Sequence, residues 1–208
     1  MHLSEGVLSM PTLLVGATVA TVGVVIGLRQ MEYDKLPFVA LFTAAFFVAS
    51  TIHIPVGIGS VHLILNGLAG VFIGWAVFPA FLIALVLQIL FFSFGGFSVL
   101  GINLCIMALP SVIVHYLLRH YLSRHSNTSN PSKKPFVFAG CLAGTIGILG
   151  SVLIASLVLA IDGGREYGDL IILLVITHIP VFITDSLISA GVLLSLTKMY
   201  PLALRNLR

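Results

Sequence analysis

The sequence predicts an all-α integral membrane protein, a single domain built as a bundle of about seven transmembrane helices. Three observations carry this reading. Of 208 residues 59% are apolar and only 8% are charged, whereas a soluble domain carries about 25% charged residues. Mean hydropathy is +1.16. Seven apolar stretches approach the roughly 20 residues that cross a bilayer as a helix, and the loops between them divide the basic residues very unevenly. Such a chain cannot cover a water-facing surface, which excludes a soluble enzyme, a disordered protein and a nucleic-acid binder.

The stretches are 10–28, 37–52, 61–77, 78–94, 102–122, 136–161 and 170–198. The second, third and fourth are short, so tilting or shielding by neighbours is expected there. Residues 119–134 form the longest polar segment and read as a loop, with Ser, Asn, Thr and Pro around four basic residues. Seven crossings put Arg29, Lys35, Arg119, Arg124, Lys133, Lys134, Lys198, Arg205 and Arg208 on one side. Only Arg165 remains on the other, beside Asp162, Glu166 and Asp169. The positive-inside rule then places the C-terminus in the cytoplasm and the N-terminus outside a cell membrane. An even number of crossings would scatter the split. The single domain thus divides into an N-terminal segment, 1–9, the bundle, 10–198, and a short cytoplasmic tail, 199–208.

The first ten residues contain no Lys or Arg, unlike the basic start of a signal peptide. Met1 is expected to be retained, because His2 is too large for efficient removal of the initiator. Met1 and His2 together offer a metal three nitrogens. The terminal amine and the His2 amide nitrogen close a five-membered ring, and that amide and the imidazole Nδ1 close a six-membered one. The set is planar, which suits Ni(II) or Cu(II) better than tetrahedral Zn(II). His62, after the turn Pro55-Val56-Gly57-Ile58-Gly59-Ser60, is the leading candidate for a fourth nitrogen. Glu5-Gly6 suggests a turn that folds the end back, and Glu5 is a candidate supporting group. His62 is expected at the start of the third helix. Asn66, four residues on, would share its face and orient the ring, or else bond to another helix. His53 is a candidate ligand on the approach path or an interfacial residue.

Gln88 and Asn103 are expected to tie helices together, to anchor the Gly95-Gly96 turn, or to line the cation path. His178 and Asp185, seven apart, share a helix face, as a proton relay or a structural pair. His115 reads as structural, and His120 and His125 as part of a solvated or headgroup face. Cys105 and Cys141 read as small buried residues. Gly23/Gly27, Gly70/Gly74 and Gly140/Gly144 have the spacing of close helix packing. The sequence holds no phosphate-binding G-x-x-x-x-G-K-[ST] loop and no catalytic constellation, so the chain is not expected to be an enzyme or to hydrolyse ATP itself.

The start Met1-His2-Leu3-Ser4-Glu5-Gly6-Val7-Leu8 resembles the opening of the CbiM/NikM family, the substrate-binding membrane components of energy-coupling-factor transporters for cobalt and nickel. The resemblance runs through Gly59-Ser60-Val61-His62-Leu63-Ile64-Leu65-Asn66-Gly67-Leu68-Ala69-Gly70, then Gln88, Phe94-Gly95-Gly96, Leu100-Gly101-Ile102-Asn103 and Met107-Ala108-Leu109-Pro110, to Ile179-Pro180 and Asp185-Ser186-Leu187-Ile188-Ser189. It implies that the N-terminal segment is inserted into the bundle. It also implies that one cation is held by the Met1 amine, the His2 amide and imidazole, and His62. Ni(II) is the cargo favoured by the planar nitrogen set and by the His62–Gly67 run. Co(II), supplying cobalamin biosynthesis, is the alternative. Asp185 departs from the family's Glu by one methylene, which puts a structural or docking role at that position in doubt. The implied partners are a coupling transmembrane protein, ATPase subunits and a small accessory membrane subunit. A proton-coupled transporter using His178 and Asp185, and a scaffold that binds no metal, are the rival readings.

Overall fold

The computed structural model describes residues 2–51, 53–56, 59–126 and 132–199, without the side chains of 53–56, 59–61, 126, 198 and 199. Met1, the 127–131 segment and the tail from 200 on lie outside the described residues. Among the described residues seven α-helices form: α1 (Met10–Arg29), α2 (Leu36–Thr51), α3 (Asn66–Ile73), α4 (Val77–Phe92), α5 (Leu100–Ser126), α6 (Lys134–Gly163) and α7 (Gly168–Met199). Five stretches of them are long and apolar enough to cross a membrane: Met10–Arg29, Tyr33–Thr51, Asn66–Phe92, Leu100–His125 and Lys134–Thr197. The third of these contains both α3 and α4, and the last both α6 and α7.

The helices are apolar on both sides. Large aliphatic side chains point outward on α1 (Leu14, Val15, Val22) and on α7 (Ile172, Ile176, Ile183, Leu187). In water this would be an aggregating surface, while in a bilayer it is an ordinary lipid face. The interior is filled from α4 and α5, with Phe78, Phe81, Leu85, Leu104, Ile106 and Met107 fully buried against Phe46 of α2. All three Gly-x-x-x-Gly pairs serve this internal packing. A Cβ at Gly23 would overlap Phe78, one at Gly27 the Trp75 backbone, and one at Gly70 the Ser111 carbonyl. At Gly140 and Gly144 it would overlap the α7 backbone at Ala190 and Ser186. Gln88 donates to Ser50 Oγ at 2.6 Å and ties α4 to α2, one of the two structural roles expected for it.

Three expectations are corrected here. The third apolar stretch, 61–77, is not a membrane-length helix. It opens in a strand, bends, and supplies only the eight residues of α3 before a 3-10 turn, Gly74–Ala76. The chain is therefore not purely helical. β1 (His2–Leu3), β2 (His53–Val56) and β3 (Gly59–His62) form a small antiparallel sheet in the order β1-β3-β2. Finally, α5 continues to Ser126 through residues that read as loop, because Tyr121, Leu122 and the half-buried His125 still pack there.

Asn66 does not share a helix face with His62, since one starts α3 and the other ends β3. Its Nδ2 instead donates among Met107 O (3.0 Å), Gly147 O (3.2 Å) and Ser151 Oγ (3.0 Å). Its Oδ1 accepts the Gly67 N–H. This buried amide is thus the polar knot at which α3, α5 and α6 meet, with both ends satisfied.

Candidate metal centre

The N-terminal segment is held against the bundle by side chains from three places. Asn103, on the first turn of α5, clamps β1 from the side: its Oδ1 accepts the Leu3 N–H (2.9 Å) and its Nδ2 donates to Leu3 O (3.0 Å). Glu5 accepts the N–H and the hydroxyl of Ser98 (3.0 and 2.9 Å). These two bonds, the N–H first, hold the Glu5 carboxyl below the usual carboxylate range. Asp162, at the far end of α6, accepts Ser9 N and Oγ and Thr12 Oγ1, and Tyr167 donates to Val7 O. Gly95 and Gly96 lie where the segment crosses the loop before α5, both at positive φ. A Cβ at Gly96 would overlap the Glu5 side chain, so only glycine leaves room for the segment there. Ser98, Asp162 and Tyr167 carried no sequence signal, because each acts over a separation of about a hundred residues or more.

This clamp presents His2 to His62. β1 pairs with β3, with His2 opposite Ser60. Both imidazoles are 3% exposed. Their rings lie 4.8 Å apart between centroids, with Phe94 beside His2 and the edge of Phe46 against His62. His62 Nδ1 is 2.8 Å from Leu63 O. A carbonyl only accepts, so Nδ1 carries the proton and Nε2 offers its lone pair. That Nε2 stands 3.1 Å from His2 Nδ1, the one imidazole nitrogen of His2 that closes a six-membered ring with its own amide.

Two nitrogens bound cis to one ion at bond lengths of about 2 Å lie about 2.8 Å apart. The 3.1 Å spacing therefore already approximates a coordination edge. Among the described residues no cluster of three His, Cys, Asp or Glu side chains could hold a metal. Two imidazoles alone are an incomplete set.

Of the other candidates, His53 pairs with His62 across β2 and β3, and its side chain lies outside the described residues. Met1 lies outside them too. His178 and Asp185 are both buried on α7 but no hydrogen bond joins them among the described residues. His178 Nδ1 bonds to Leu174 O (2.7 Å), while Asp185 accepts the N–H groups of Leu65 (3.0 Å) and Ile64 (3.4 Å). The Asp185 carboxylate thereby secures the bend that follows His62.

Asn103 touches the site only through the backbone of β1, which makes it a clean test of the clamp. Asn103→Ala is expected to weaken metal binding about 10–100-fold, the cost of losing a group that orients a ligand. Equilibrium dialysis against Ni(II) measures it, and unchanged affinity would mean that β1 docks without the clamp.

Residues 2–203 match the family model described as CbiM, cobalt uptake substrate-specific transmembrane region. A Haemophilus influenzae protein named "Putative metal transport protein" is 60% identical over 201 residues, covering 97% of this chain and 95% of its own. The cobalt transport protein CbiM of Sorangium cellulosum is 30% identical over 97% of this chain and 93% of its own. The fused nickel transport protein NikMN of Rhodobacter capsulatus is 30% identical over 75% of this chain, which spans 46% of that longer protein. A solved structure described as the crystal structure of a transition metal transporter superposes with a TM-score of 0.74 at 23% identity, covering 95% of this chain and 93% of that one. At that identity the likeness is one of fold.

Proposed function

The chain belongs to the CbiM family, a family of metal-transport membrane components and not of enzymes, and from that premise we propose that it captures Ni(II) for uptake across the cell membrane. The ligands are the Met1 amine, the His2 amide nitrogen and Nδ1, and His62 Nε2. The observation that carries this reading is the convergence of His2 Nδ1 and His62 Nε2, 3.1 Å apart in a buried site.

The arrangement explains how the ion is held. In the metal-free pair His2 Nδ1 donates its proton to His62 Nε2. Binding moves the His2 proton to Nε2, frees Nδ1 as a ligand and releases the amine and amide protons, so affinity rises with pH. His62 needs no rearrangement, because Leu63 O already fixes its tautomer. Strand pairing and the Asn103 clamp hold the chelate in register, which limits the ordering that binding must impose.

Ni(II) is the proposed cargo because four nitrogens in one plane match its preference. Co(II) is the alternative, since the relatives' names include both metals. The chain has no phosphate loop, so uptake draws on ATPase subunits and a coupling transmembrane protein, in an energy-coupling-factor assembly. With the N-terminus outside, the metal site lies at the outer face, where the cation arrives.

The test is the metal content and affinity of the purified protein for Ni(II) and Co(II), beside His62→Ala. One ion per chain is expected. The variant should bind at least about a hundredfold more weakly, beyond what losing a supporting group costs, with its thermal transition retained. Equal binding by both proteins would overturn the site, and tighter Co(II) would reassign the cargo.

A further inference from the structure

The bundle carries a polar cavity that metal capture does not use. It measures about 420 Å³ and is lined by Arg29, Glu32, Lys35, Trp75, His115 and Arg119, among others. Arg29 ends α1, Lys35 lies in the 3-10 turn (Tyr33–Lys35) that leads into α2, and Arg119 stands on α5. Lys35 is paired with Glu32 at 3.1 Å. Arg29 and Arg119 make no ion pair among the described residues. Arg119 and Lys35 line this one space together with the His115 ring. Three cations against one carboxylate leave that space positive. Trp75 Nε1 donates to Tyr116 Oη (2.9 Å) beside it, an aromatic pair of the kind that marks the membrane–water boundary.

A second cavity, of about 550 Å³, has the lining residue Met31 in common with the first. It is almost without polar surface and runs between α2 and α4, along Leu36, Ala40, Ala44, Phe47 and Ile83. From residue 36 to residue 47 a helix advances about 16 Å. That is about half of the 30 Å hydrocarbon core, the depth of one leaflet.

We propose that the two cavities form one site for an anionic phospholipid, with the phosphate at Arg29 and Arg119 and an acyl chain in the groove between α2 and α4. Basic recesses between transmembrane helices select anionic headgroups, and a zwitterionic headgroup would bring a cation of its own into an already positive space. The leaflet-deep groove fits a lipid chain. A partner's transmembrane helix would need the full core thickness and a trough about 10 Å wide.

The experiment uses the full chain in detergent, with native mass spectrometry against phosphatidylglycerol and phosphatidylcholine, and thermal shift with inorganic phosphate. Retention of phosphatidylglycerol over phosphatidylcholine is expected. Arg29→Gln with Arg119→Gln should weaken it about thirtyfold, on the scale of about fivefold for each juxtamembrane cation, with Ni(II) binding intact as the fold control. Ala44→Trp, at an exposed position in the groove, should displace the lipid and leave the phosphate response unchanged. Equal retention of the two lipids would overturn the proposal. So would protection by phosphate alone with no effect of Ala44→Trp, which would mean a free-anion site. An Ala44→Trp protein that keeps its lipid but fails to assemble with partner subunits would assign the groove to a protein instead.

Discussion

Two glycines placed ahead of Met1 are expected to lower Ni(II) affinity by about 10²–10⁴-fold, the advantage that a broken intramolecular linkage forfeits. The extension turns the Met1 amine into an amide and moves the new amine too far away to close a five-membered ring with the His2 nitrogen. His2 and His62 remain, two imidazoles 3.1 Å apart, with no third side chain near enough among the described residues to complete a set. Two residues are specified rather than one for a chemical reason. A single added glycine would make His2 the third residue, where an amine, two amides and one imidazole close a four-nitrogen plane by themselves. With one glycine, Ni(II) binding should therefore survive but lose its dependence on His62. Isothermal titration of the three proteins, native, +1 and +2, reads the result. Full affinity in the +2 protein would sink the terminal chelate, and His62 dependence in the +1 protein would mean that the N-terminal strand overrides the preferred chelate.

The proposed Met1–His2 chelate could be read from the sequence because ring sizes follow from covalent order: Met1 and His2 are neighbours, and no fold is needed to bring them together. The helices were legible from length and apolarity, and α1, α2, α4, α6 and α7 begin within a few residues of the expected positions. What surrounds His62 was not. Residues 61–77 have the composition of a membrane helix, and nothing local in Leu63-Ile64-Leu65 announces a bend. The bend exists because a carboxylate about 120 residues away captures two of its N–H groups. Local spacing left Asn66 open between orienting His62 and bonding to another helix, and its amide does the second, joining α3 to α5 and α6. Asn103 was recognised as a helix-tying or path-lining polar group. Its grip on both backbone atoms of Leu3 is visible only once the terminal strand is docked.

Asp185→Ala is the second large effect expected, and it falls first on stability. Leu65 sits at φ 56°, in the left-handed region, which costs a side-chain-bearing residue about 1–2 kcal/mol. It does so to turn the chain from β3 into α3, and the Asp185 carboxylate offsets the cost by accepting the N–H of Leu65 and of Ile64. Asp185 is 1% exposed, so no water replaces it when the carboxylate is removed. The buried Ile64 N–H and the part-buried Leu65 N–H then lose their acceptor at about 1–3 kcal/mol each, a loss of about 2–6 kcal/mol. For a chain of this length each kcal/mol lowers the thermal midpoint by about 2–4 °C. A fall of about 4–24 °C is the expected result. Asp185→Asn keeps one acceptor oxygen at the same reach and should lose less than half as much. Asp185→Glu pushes the carboxylate one methylene further into Ile64 and Leu65 and tests whether the shorter side chain is matched to this bend. Metal binding should weaken with the thermal midpoint, because His62 lies only two residues before Ile64. A proton-relay role predicts the opposite pattern: Asp185→Asn would abolish uptake at unchanged stability and unchanged metal affinity. The comparison of midpoint, Ni(II) affinity and uptake in Asp185→Asn therefore separates a carboxylate that shapes the metal site from one that drives transport.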